Sequence, residues 1–261
     1  MQGRLFPLPI ARVDPVDLGS ADCSLIGTGL DGIPYVLKTT KEDGGPYVPL
    51  SEWVCSHLAD VCYIPVPPFA VAELPEKEFA FASRWEGGVL KLEDVPAILS
   101  GIAKIQGVDE LLGSIYAFDL FVSNPDRHFR NYLLREAGPD RRAVLMAPDY
   151  SRALIANGWP LPPPRFDSFT NTERAIRKLA ATHDRTGMAE GALALLDRLE
   201  SLPGDFMDGV LKYVPHDWDP QGLCNHLAKW WETDRNDRIS VIRRGIEDGT
   251  YPALRDHQGS P

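Results

Sequence analysis

At 261 residues, with 44% hydrophobic and 25% charged residues, the chain has the composition of a globular protein able to bury a full core. A net charge of −10 argues against nucleic acid or an anionic membrane as the main partner, because phosphate backbones select clustered cations, and pairs such as Arg243-Arg244 then read as solvated faces. Cys23, Cys55, Cys62 and Cys224 show no C-x-x-C spacing, so neither a zinc knuckle nor a disulfide framework is indicated, and with no leader-like start or membrane-length apolar run the expected location is the cytoplasm.

In chain order, the small polar stretch Gly19-Ser20-Ala21-Asp22-Cys23-Ser24 precedes the first expected strand. Ser20 and Ser24 are read as a loop covering phosphates, although the stretch is neither a Walker A nor a full G-x-G-x-x-G. Leu25 to Gly27 and Ile33 to Leu37 flank Asp31-Gly32, a hairpin turn signal, and the second strand ends at Lys38. A helix is expected to start near Ser51 as its cap, with Glu52 in the first turn, where a carboxylate also favours the helix dipole. Lys38 can ion-pair with Glu52. Pro65, Pro67 and Pro68 imply an extended link to a strand at Phe79–Arg84. That strand runs into Trp85, where a hinge would place Ser83, Arg84 and Trp85 against an adenine ring. Residues 1–86 therefore read as a strand-rich N-lobe with one helix, and 87–261 as a helical C-lobe.

In the second part, apolar residues recur at helical spacing over 108–122. This helix leads into Asn124-Pro125-Asp126-Arg127-His128-Phe129-Arg130-Asn131. Two short runs, 132–134 and 143–146, flank the turn-rich 137–141 and predict a hairpin. The hairpin would carry Asp149 back to face Asn131. The Pro-rich segment 156–165 cannot be helical and reads as either a rigid connector or a substrate platform, with Arg152 or Arg165 meeting an acidic group. Helices are expected over 172–182, 188–200, 204–212 and 221–247, the last anchored by Trp230 and Trp231.

Asp126 and Asn131, followed by Asp149 beyond a hairpin, have the order of a phosphoryl-transfer loop: a base, a metal-binding amide and a metal-binding carboxylate. Phosphoryl transfer needs alignment and charge neutralisation more than covalent help. Mg2+ takes hard oxygen ligands and keeps several waters, so one Asn and one Asp suffice from the protein. Asp126 is then left to orient and deprotonate an attacking hydroxyl. Singly, each of these residues is more often a turn or strand cap, and they gain weight only as a set.

The motif Asn124-x-Asp126-Arg127-His128-x-x-Asn131 resembles the N-x-D-R-H-x-x-N loop of the HipA-like kinases, a branch of the protein-kinase-like superfamily related to the phosphatidylinositol-kinase fold. Lys38 and Glu52 match that family's strand lysine and helix glutamate, and Asp149 its metal-binding aspartate. Val214-Pro215-His216-Asp217-Trp218, followed by a helix with Arg243-Arg244, resembles its tail. The resemblance is to the short stand-alone members. It implies an α+β, two-lobed protein-kinase-like fold, ATP and Mg2+ as cofactors, and Arg127 and His128 as braces of the catalytic loop. It further implies an antitoxin-like partner and autophosphorylation at Ser20 or Ser24. The acceptor is a protein or small-molecule hydroxyl. A serine/threonine protein kinase is the leading reading, beside a small-molecule or lipid-headgroup kinase, an adenylyl transferase, and a non-catalytic nucleotide-binding module.

Overall fold

The computed structural model describes residues 6–15, 25–87, 105–137 and 142–255. Ser20 and Ser24 lie outside the described residues, and so do 88–104, beside the expected lobe boundary.

The N-terminal region is strand-rich. Strands β1 (Leu8–Pro15), β2 (Leu25–Gly29), β3 (Pro34–Lys38), β4 (Phe69–Glu73) and β5 (Phe79–Arg84) close into a barrel in the order β1-β2-β3-β5-β4. Closure comes from β1, which runs antiparallel to β2 and parallel to β4. Alternation drives this: Leu8 and Ile10 point inward while Pro9 and Ala11 face out, the period-2 pattern of a half-buried strand. Leu37, Ala72, Ala80 and Ala82 complete a small core. Between β2 and β3, Gly32 adopts φ 75° and Asp31 Oδ1 accepts the Ile33 amide at 3.1 Å, so the expected hairpin forms at the expected residues.

Helix α1 (Val48–Val61) is buried on nearly every side, as a helix between the barrel and the rest of the chain must be. It begins earlier than the sequence suggests. Pro49 occupies its first turn, where a missing N–H costs nothing. Ser51 therefore lies inside the helix, and its Oγ accepts the Ala156 amide at 3.1 Å instead of capping. Glu52 consequently sits beyond the first turn.

The C-terminal region is helical: α2 (Val108–Phe121), α3 (Asn171–Leu179), α4 (Arg185–Ser201), α5 (Phe206–Leu211), α6 (Leu223–Thr233) and α7 (Arg235–Glu247). The expected single helix over 221–247 is two helices meeting at Asp234. Trp231 is fully buried and Trp230 packs partly buried against the same core. Strands β6 (Leu133–Ala137) and β7 (Arg142–Met146) form the expected antiparallel hairpin. One continuous core runs from α1 through α2, α4 and α7. No helix among the described residues is long and apolar enough to cross a membrane.

Candidate functional site

The loop after α2 is held by a buried ion pair. Asp119 lies in the otherwise apolar C-terminal half of α2 and accepts Arg127 Nε and Nη2, each at 3.0 Å. It also accepts Asn124 Nδ2 at 2.8 Å. Arg127 is 0% exposed. Its Nη1 donates to the Asn131 carbonyl at 3.2 Å and to the Pro148 carbonyl, and its guanidinium lies 4.8 Å from the Tyr150 ring centre. One side chain thereby ties α2, the Asp126–Asn131 loop and the Asp149 segment together. A planar, multi-donor guanidinium suits that task, and a lysine would not. Arg238 of α7 supports the same loop from behind by donating to the Leu120 and Phe121 carbonyls at 2.9 and 2.6 Å. Both carbonyls lie in the last turn of α2, where the helical i→i−4 ladder runs out.

Within the loop, Asn124 Oδ1 accepts the Asp126 amide at 3.2 Å, and Asn131 Nδ2 donates to the Asp126 carbonyl at 3.1 Å. That bond turns the amide oxygen of Asn131 away from its own loop. The Asp126 carboxylate stays partly exposed and accepts Asn171 Nδ2 at 2.5 Å on Oδ1. The His128 Nδ1 is buried and has no hydrogen-bond partner among the described residues.

The second cluster gathers around Lys38 at the end of β3. Its ammonium donates to Glu52 Oε1 at 2.5 Å, Asp149 Oδ1 at 2.6 Å and Ser151 Oγ at 3.3 Å. Glu52 Oε1 also accepts the Tyr150 amide at 2.9 Å, and Ser151 Oγ donates to Asp149 Oδ1 at 2.5 Å. Barrel, α1 and the segment after β7 therefore meet at one cation. Lys38 is 5% and Glu52 2% exposed, so this is a desolvated cluster in which each charge needs its partner. Burial pushes the Glu52 carboxyl up to about 7, against the pull of Lys38 and with the push of Asp149. For Asp149, burial is outweighed by Lys38 and Ser151, and its carboxyl is held well below the usual range. Asp149 has φ 71°, in the left-handed region that aspartate tolerates better than most residues.

The predicted hinge residues end the barrel. Ser83 pairs with Val36 and Arg84 with Tyr35; Trp85 has a partly exposed ring and donates its amide to the Pro34 carbonyl at 2.9 Å. Glu86 is buried and accepts Arg84 at 2.8 Å on Oε1 and Arg135 of β6 at 2.5 Å on Oε2. It thus joins the hinge to the hairpin. Arg165 of the Pro-rich segment is exposed. A groove of about 1100 Å³, lined by Trp53, His57, Phe69, Phe206 and Tyr213 among others, contains none of the predicted site residues.

Asn131 and Asp149 suit a hard cation. The Asn131 amide nitrogen is engaged, leaving the oxygen for a metal, and Asp149 is ionised, as a ligand must be. No group of three or more His, Cys, Asp or Glu that could hold a metal occurs among the described residues.

Four contributors escape the sequence reading: Asp119, Glu86, Ser151 and Asn171. Asp119 carries a signal, since a carboxylate among Tyr116, Phe118, Leu120 and Phe121 must be paired once buried. Asn171 sits just after Thr170, in the Thr170-x-x-Glu173 pattern of a helix start. That pattern locates α3 but not its contact with Asp126.

Residues 20–137 match the family described as HipA-like kinase. Among solved structures, the chain is similar to the Helicobacter pylori proinflammatory kinase CtkA, with TM-score 0.62 and 11% identity over 93% of this chain and 99% of that one. It is also similar to a chain of the Shewanella oneidensis MR-1 toxin–antitoxin complex of HipA, HipB and operator DNA, with TM-score 0.48 and 12% identity over 84% of this chain and 62% of that one. No curated protein matches by sequence. The family match spans β2 through β6, including Lys38, Glu52 and the Asp126–Asn131 loop, and it supports a kinase of the HipA-like family, with the CtkA likeness agreeing in fold.

Proposed function

We propose that the chain transfers the γ-phosphoryl group of Mg-ATP to a serine or threonine hydroxyl of a protein, itself included. The observation that carries this reading is the meeting of Lys38, Glu52 and Asp149 at bonding distance, with Arg127 bonded to both the Asn131 and Pro148 carbonyls. These contacts support reading Lys38 as the cation, Asp149 as the metal-type carboxylate and Asp126, on the loop that Arg127 ties to the Asp149 segment, as the candidate base.

Each residue then has a role set by its chemistry. Lys38, oriented by Glu52, neutralises the α- and β-phosphates. Asn131 and Asp149 would hold Mg2+, whose charge would offset that of the phosphates. Asp126 orients the acceptor hydroxyl and takes its proton. Ser83, Arg84 and Trp85 lie where adenine would meet backbone groups, and Ser20 and Ser24 are assigned to the phosphate loop. Arg127 and Asp119 position the loop without touching substrate. An antitoxin-like partner and a cytoplasmic location belong to the same reading.

Intact mass after incubation with Mg-ATP, for wild type and Asp126→Ala, tests it. A phosphate-sized gain in the wild type alone is the expected result. The same gain in Asp126→Ala removes Asp126 as the base, and the much heavier adenylyl increment identifies AMP transfer instead. If neither protein gains mass, labelling of added proteins and a metabolite panel separates a protein kinase from a small-molecule kinase, and nucleotide binding without turnover on either marks a regulatory module.

A further inference from the structure

Resting on the assignment of Asp126 as the base, we infer that Asn171, at the start of α3, is a positioning residue for that base. It lies 45 positions along the chain from Asp126, beyond the metal-type Asp149, and belongs to no part of the catalytic-loop motif.

The geometry is over-determined around it. Thr170 caps α3, its Oγ1 accepting the Glu173 amide at 3.1 Å. Thr172 makes three bonds into the loop. Its amide donates to the Pro125 carbonyl at 3.2 Å, its hydroxyl donates to the Asn124 carbonyl at 2.6 Å, and that oxygen accepts the Arg127 amide at 3.0 Å. Glu173 is buried and accepts the Tyr116 hydroxyl at 2.5 Å, fixing the same turn to α2. Asn171 is therefore held between anchored neighbours, and its amide reaches Asp126 from a rigid helix end. A carboxylate cannot donate, so the group facing Oδ1 is the NH2 of Asn171.

The consequence is an asymmetric carboxylate. Oδ1 is engaged by Asn171, and Oδ2 accepts no hydrogen bond from a described residue, leaving it for the acceptor hydroxyl. A single donor fixes the rotation of the carboxylate plane, which is what a near-attack geometry requires.

A purely structural Asn171 would behave differently. At the first helical position an aspartate is favourable to the helix dipole, so Asn171→Asp should fold at least as well as wild type. For catalysis it is the worst choice, because it deletes the donor and sets a like charge against Asp126. Turnover of Mg-ATP should therefore be compared in wild type, Asn171→Ala, Asn171→Asp and Asp126→Ala, with thermal melting of each. The expected result is a kcat loss of about 10- to 100-fold in Asn171→Ala and at least as large in Asn171→Asp, with KM for ATP within about twofold and undiminished melting of Asn171→Asp. Wild-type kcat in both variants, or an Asn171→Asp faster than Asn171→Ala, overturns the inference. Full turnover by Asp126→Ala defeats the base assignment itself and is read separately. The side-chain amide signal of Asn171 in 15N spectra, identified by its loss in Asn171→Asp, decides the contact independently of turnover: it must move in Asp126→Ala, and an unmoved signal overturns the pairing.

Discussion

His57 shows how one side chain sets a pH response away from the site. It packs edge-on against Trp53 and Phe69, with ring centres 4.3 and 4.8 Å away, and neither ring nitrogen has a hydrogen-bond partner among the described residues. Burial lowers its pKa to about 4 from 6.5. A base held neutral in this way contributes stability that is complete above pH 6.5 and is lost as pH falls through about 4. The full loss is on the order of 3 kcal/mol. In urea unfolding at pH 7 and pH 5, the stability change on acidification should be less favourable in wild type than in His57→Phe by about 2 kcal/mol. The slope left in His57→Phe should have the opposite sign. Burial raises the carboxyls of Glu52 and Glu173 to about 7, and a raised carboxyl loses stability as pH rises. An unchanged acid slope in His57→Phe would sink the assignment. Residue types were legible for Lys38, Glu52, Asp126, Asn131 and Asp149, because their chemistry and spacing follow a known loop. The Asn171 contact was not, since a hydrogen bond across 45 positions leaves no periodic trace.

At the scale of elements, α2 and α4 touch backbone to backbone. A Cβ built at Gly113 would lie 1.7 Å from the Met188 carbonyl oxygen, and one at Gly191 would lie 1.9 Å from that of Glu110. The Ser114 hydroxyl donates to the Gly191 carbonyl at 2.9 Å across the same crossing. Alanine gains about 1 kcal/mol of helix propensity over glycine. Here, however, the obstacle is backbone, which no rotamer change relieves, so overlap wins. Gly113→Ala or Gly191→Ala should lose more than about 3 kcal/mol, whereas Gly209→Ala in α5, with nothing within 4 Å, should be neutral or gain up to about 1 kcal/mol. Denaturant titration separates them, and equal stabilities would contradict the crossing. Because α2 carries Asp119 and delivers the Asp126 loop, this crossing also positions the site. The α2 helix and the β6–β7 hairpin were readable from period and turn residues. Strand β1 was not, because Pro9 and Pro15 mask the inward alternation of Leu8 and Ile10. The break at Asp234 carries no glycine or proline to announce it.

At the scale of the whole molecule, the strand-rich and helical regions are tied through charge as well as through the core. Lys38 from the barrel holds Asp149 from the segment after β7, and Glu86 accepts Arg84 and Arg135 across the same junction. Spacing along the chain suggested that Lys38 and Glu52 could pair. That Asp149 would share the same ammonium is a product of the closed barrel and α1 together, and no local pattern encodes it. This sharing makes nucleotide binding a test of the arrangement. Mg2+ would draw on Asp149 while phosphates take over as partners of Lys38, so nucleotide should stabilise the folded chain more with Mg2+ than without it. At a ligand concentration 100 times its Kd, linkage adds about 2.7 kcal/mol, or roughly 5–10 °C in Tm for a chain of this size. Asp149→Asn should bind nucleotide without the Mg-dependent part of that shift, so ATP with and without Mg2+ should give equal Tm values. The comparison is between shifts, because losing the Asp149 charge also alters the ligand-free protein. A full Mg-dependent shift in Asp149→Asn would place the metal elsewhere and remove Asp149 from the proposed site.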